Sequence, residues 1–118
     1  MALGTPTAAN TVRAGGSASR PLFHTFLTFA GDDAYAAGGT ANFSSFVASA
    51  LGQENADVLY VVNELHSGAT AGGVTVALAE AKYDVSEDKL LVRSRATGTE
   101  ATAGDISALV LHVHVVHH

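Results

Sequence analysis

Between Pro21 and Val116 a single stretch carries apolar residues at helical spacing. It runs from Thr40 to Leu51, where Phe43, Phe46, Val47, Ala50 and Leu51 fall on one face. Thr40 or Asn42 is placed to cap its start and Gly52 to stop it. Parallel strands need a long crossover, usually a helix, between each strand and the next. A chain with one helix cannot supply such crossovers, so its sheets should be antiparallel.

The remaining apolar residues sit in strand-like blocks. Leu22–Phe29 places Phe23, Leu27 and Phe29 on one face and Leu22, His24, Phe26 and Thr28 on the other. Gly31-Asp32-Asp33 then breaks the strand. Val58–Val62 is a run of β-formers, and Ser67–Gly73 is a loop by composition. Val74–Val85 alternates along its whole length, and Leu90-Leu91-Val92 starts the return strand. The last strand spans Ile106 to Val116, with Leu109, Leu111, Val113 and Val115 on one face and Val110, His112, His114 and Val116 on the other. Short strands separated by turn residues predict an all-β fold, an antiparallel sandwich or small barrel.

At 118 residues the chain has enough for one domain with one core. Apolar residues make up 47% and charged residues 14%, which is too hydrophobic for a disordered protein. Residues 1–20 differ: they are rich in Ala, Gly, Thr and Ser, and Arg13 and Arg20 are their only charges. This stretch reads as an extended, flexible N-terminal arm, or as a tether laid on a neighbouring subunit, with the sandwich domain spanning 21–118. A net charge of −5 with scattered Lys and Arg argues against a nucleic-acid partner. Without cysteine there is no disulfide and no thiolate chemistry. The N-terminal residues lack the apolar run of a signal peptide, and no segment has the ~20 apolar residues that span a bilayer. Synthesis in a cytoplasm, with no membrane partner, is the expectation.

Sites of chemistry are sparse. His112 and His114 share one face of a strand, the spacing of paired metal ligands and of the His-x-His in cupin sites. The glutamate, glycine and later histidine of that pattern do not follow. A third ligand would have to come from His24, His66, His117 or Glu64, so the pair reads as the less buried face of an end strand, or as a subunit contact. His117 and His118 read as a solvated tail. Asp32 and Asp33 lack the further oxygen ligands of a calcium loop. Gly38-Gly39-Thr40 lacks the lysine of a phosphate loop. No serine sits in a nucleophile elbow. Tyr35, Tyr60 and Tyr83 could line a sugar-binding face but read as core. The expectation is a non-enzyme with no catalytic residues, no metal and no cofactor.

Phe29-Ala30-Gly31-Asp32-Asp33-Ala34-Tyr35-Ala36-Ala37-Gly38-Gly39-Thr40-Ala41-Asn42-Phe43 resembles the pattern TFAGD-x-x-Y-x-x-GGT-x-x-F. That pattern belongs to small structural proteins encoded beside the major capsid protein of tailed bacteriophages. The layout stays similar through Ala50-Leu51-Gly52, Tyr83-Asp84, Asp88-Lys89-Leu90, Thr97-Gly98-Thr99-Glu100 and Asp105-Ile106-Ser107, so the likeness spans residues 25–116. The Ala-rich stretch Ala77–Ala81 and the histidine-laden end depart from it. The resemblance implies a capsid cement, or decoration, protein with a jelly-roll-like sandwich, bound outside the shell of the virion. It implies the major capsid protein as partner and a homo-oligomer, a dimer or trimer. Arg13 and Arg20 would then meet an acidic shell surface. A fibre or receptor module binding glycans through loops near Thr70 and Gly98 is the alternative.

Overall fold

A computed structural model describes residues 2–6 and 8–118. In chain order the elements are β1 (Ala8–Gly16), β2 (Pro21–Ala30), β3 (Thr40–Ala41), α1 (Phe43–Leu51), β4 (Val58–Asn63), β5 (Ser67–Gly68), a single 3-10 turn (Val76–Leu78), β6 (Ala79–Asp84), β7 (Lys89–Ser94) and β8 (Leu109–His117). They form an all-β, antiparallel two-sheet sandwich. The larger sheet has the order β1-β2-β8-β4, with β5 paired to the start of β8; the smaller has the order β3-β7-β6.

The alternation read from the sequence sets the core. Thr25, Leu27 and Phe29 on β2 lie opposite Val115, Val113 and Leu111 on β8, and all six are buried. Ala79 and Ala81 on β6, with Leu90 and Val92 on β7, join the same core from the smaller sheet. Phe29 meets the helix at the centre, with its ring 4.9 Å from Phe46 and 6.4 Å from Phe43. Burying each large side chain here contributes ~1.5–3 kcal/mol.

Residues between Phe29 and Phe43 organise one corner of this sandwich. Asp32, fully buried, accepts the Ala34 N–H at 2.8 Å and the Thr40 hydroxyl at 2.7 Å. Gly39 has φ +102°, and a Cβ there would lie 2.7 Å from the Leu90 carbonyl oxygen. Glycine alone fits both demands. Phe43 opens α1 and is buried in the core.

Several expectations are corrected. Neither Thr40 nor Asn42 caps α1: Asn42 makes no side-chain cap bond, and Thr40 is engaged by Asp32. The cap comes from the β6–β7 turn, where Asp88 (φ 54°) accepts the Ser44 N–H at 2.9 Å and the Ser44 hydroxyl at 2.6 Å. Gly52 does end the helix, in the left-handed conformation. The alternation of 74–85 is not one strand: Val76–Leu78 is a 3-10 turn, and the strand starts at Ala79. His117 is not a tail residue. It ends β8, is 1% exposed, and lies 2.8 Å from the Thr25 hydroxyl.

The N-terminal segment is extended as expected, but it is docked rather than free. Ala2 and Gly4 bond to Asp33 and Ala30, and Leu3 packs on the core. Ala8–Gly16 then pairs antiparallel with β2. The cause lies in the backbone: β2 has an edge left open by β8, and its N–H and C=O groups need partners.

Candidate interaction surface

The larger sheet turns one face to the core and the other outward. The outward positions are the other half of each alternation: His24, Phe26 and Thr28 on β2; His112, His114 and Val116 on β8; Tyr60 and Val62 on β4; Asn10 and Val12 on β1. The charge on this side comes from Glu64, exposed just past β4, whose N–H bonds to the His112 carbonyl at 2.9 Å and whose carboxylate acts on His114. Val12, Phe26, Tyr60 and Val62 are among the exposed large apolar side chains of the described residues.

Two histidines on this face, His24 and His114, are held in defined tautomers. His24 Nε2 lies 3.0 Å from the Ala14 carbonyl oxygen, which can only accept, so this nitrogen carries the proton. His24 Nδ1 is then an acceptor and takes the N–H of His114 Nε2 at 2.8 Å. The His114 ring stacks on Phe26 with centroids 4.6 Å apart. Burial first, and the neighbouring His24 second, hold His114 below the ordinary histidine range. His112 is engaged separately, 3.2 Å from the Thr28 hydroxyl and 2.7 Å from that of Ser67. His112 and His114 thus share a face as expected, but β8 is a central strand and each ring has its own partners. Among the described residues no group of three or more His, Asp or Glu is arranged to hold a metal ion.

Beside this face, His66 is buried and fixed at both nitrogens. Nδ1 accepts the backbone N–H of His112 at 3.0 Å, and Nε2 donates to Asn63 Oδ1 at 2.9 Å. The same Asn63 amide donates to the Ala81 carbonyl at 2.9 Å and accepts the Ala81 N–H at 2.7 Å. Asn63 therefore joins the two sheets as a strand backbone would. Desolvation, then His112 and Arg95, push the His66 pKa down. Asn63 follows the β-former run Val58–Val62, where composition alone does not mark it. Its signal was a polar residue in the inward phase of that strand.

The two arginines expected to meet a partner differ. Arg20 is held within the chain, its guanidinium 2.5 Å from Asp57. Arg13, exposed on β1, has no ion pair among the described residues. Of the tyrosines, Tyr35 is buried and Tyr83 packs against the core, while Tyr60 is exposed. A groove of about 420 Å³ lies between the N-terminal segment and α1 and is lined by Leu3, Thr5, Pro6, Phe46, Ser49 and Ala50. No family model, curated protein or solved structure matches the chain.

Proposed function

We propose that the protein is a bacteriophage capsid decoration protein, a non-enzymatic clamp that binds the outside of the major capsid shell. The observation that carries this reading is the role of the phage-like pattern in the fold. Asp32, Gly39, Thr40 and Phe43 order a single corner through buried bonds, a tight backbone approach and core packing. The resemblance is therefore carried by residues that determine the architecture. Exposed apolar side chains on a rigid sheet, and an uncommitted Arg13 on an edge strand, supply contact surface and a cation for an acidic shell.

The mechanism is linkage. A protein that binds the assembled shell and not its separated subunits stabilises the shell by mass action. An interface of ~1,200–2,000 Å² per copy suffices for specific binding. Many copies bridging different capsid subunits multiply the effect. The test is to add purified protein to undecorated shells of the parent phage. Co-sedimentation and a rise in the shell's melting temperature are expected. Absence of both removes this reading.

A further inference from the structure

We infer that the edge of β2 is a docking site for β1 of a second copy, so that two chains exchange their first strands. No residue from Asn10 to Gly16 is buried, and none belongs to the core. β1 is held to β2 by its backbone ladder, with the Thr11 hydroxyl 2.9 Å from that of Thr25 and the Ala14 carbonyl 3.0 Å from His24 Nε2. An element without buried side chains opens at a small part of the cost of global unfolding. What it uncovers is a row of β2 N–H and C=O groups that needs a strand. The β1 of a second copy remakes each of those bonds and both side-chain contacts, because its sequence and register are the same.

The register places the symmetry axis. Each step forward from Ala8 is matched by a step back from Thr28, down to Arg13 opposite Phe23. Continued without a break, that register centres on Ala18. Two chains extended over residues 8–28 therefore pair with each other about a two-fold axis at Ala18. Around the axis Ser17 of one copy faces Ser19 of the other, Gly16 faces Arg20 and Gly15 faces Pro21. Small neutral residues meet at the centre, and neither arginine meets its counterpart. In the closed chain the register breaks instead. Gly16 lies opposite Pro21 past an irregularity, and Gly15 and Gly16 turn the backbone at φ +92° and +74°. A Cβ at Gly16 would lie 2.5 Å from the Arg20 carbonyl oxygen. This glycine turn keeps the strand on its own sheet, and the extended form makes no such demand. The exchange does not depend on the shell-binding reading.

The first test uses the lack of cysteine in the chain. Full-length Thr11→Cys and Thr25→Cys proteins are mixed at high concentration, opened in moderate urea, returned to buffer and oxidised. Non-reducing electrophoresis should show a mixed disulfide dimer at twice the 12.0 kDa chain mass, beyond its statistical share over the two symmetric dimers. The second test leaves every buried position untouched. Gly16→Val strains the closed turn alone, so sedimentation equilibrium of the full chain should give a dimerisation constant about tenfold or more above that of the wild type. A mixed dimer at no more than its statistical share, or a Gly16→Val chain that stays as monomeric as the wild type or forms a trimer, overturns the inference.

Discussion

The Tyr35 hydroxyl donates to the Glu100 carboxylate at 2.5 Å while accepting the Val92 N–H at 3.0 Å. Glu100 in turn accepts the Gly38 N–H at 2.9 Å. One phenol thus ties the loop after β2, the middle of β7 and the turn that follows it. Burial, reinforced by the Glu100 hydrogen bond, pushes the Tyr35 pKa well above the ordinary tyrosine value. Tyr35→Phe leaves the buried Val92 N–H and a partly buried carboxylate short of a partner. A loss of ~2–3 kcal/mol is expected in urea unfolding. Glu100→Gln keeps an acceptor for the phenol and should cost less.

Asp88 is a helix cap supplied from another element. It accepts from Ser44 twice and from the Tyr83 hydroxyl at 2.7 Å. Asp88→Ala removes all three bonds and places alanine at positive φ, so a cost of ~2–3 kcal/mol is expected. Asp88→Asn tolerates that conformation and keeps one acceptor, and should retain roughly half of the stability. Paired denaturation curves for the two variants check the order.

Phe29 joins the larger sheet to α1 through Phe43 and Phe46. Phe29→Ala should cost ~3–5 kcal/mol, and Phe29→Leu about a third of that. Calorimetric melting temperatures measure both.

Acid should weaken the fold through two histidines. His66 and His114 have pKa values below the ordinary histidine value in the native state. The unfolded chain therefore binds more protons in this range, so their stabilising contribution is whole above about pH 6.5 and is lost as pH falls through the depressed native values. For His66 the cause is direct, since protonating Nδ1 breaks the bond from the His112 N–H. Urea midpoints should fall from pH 7.5 to 5, and His66→Gln should flatten that slope.

Arg13 and Arg20 make different predictions for shell binding. Arg13→Ala should lower affinity for shells with little effect on folding. Arg20→Ala breaks an exposed ion pair and should change stability by less than ~1 kcal/mol. Pelleting assays with both variants separate the two roles.

The sequence exposed what periodicity can carry. The inward and outward faces of β2 and β8 followed from alternation, and the helix from its apolar face and Gly52. What it concealed lay in backbone demand and distant side chains. The segment at Ala8–Gly16 has too few large apolar residues to look structured, yet a strand edge recruits it by hydrogen bonding. Asp88 caps a helix that begins 45 residues earlier, at Phe43, a distance local capping rules do not reach. His117 looked solvated because its neighbour is a second histidine; the Thr25 hydroxyl on the adjacent strand makes its burial tolerable. On the outward face the histidines were visible, but their pairing depends on cross-strand register, which one sequence does not display.

The position of β8 has a kinetic consequence. It lies between β2 and β4, and its pairing joins Thr25 to His117 across 92 positions. On the ribosome, the strands it unites are made before it and must wait with open edges until Leu109–His117 emerges. Closing so long a loop is slow, in the millisecond-to-second regime of non-local β folds. During that delay β2 and β4 are most vulnerable to mispairing, so yield in the cell should depend on how quickly the last strand arrives.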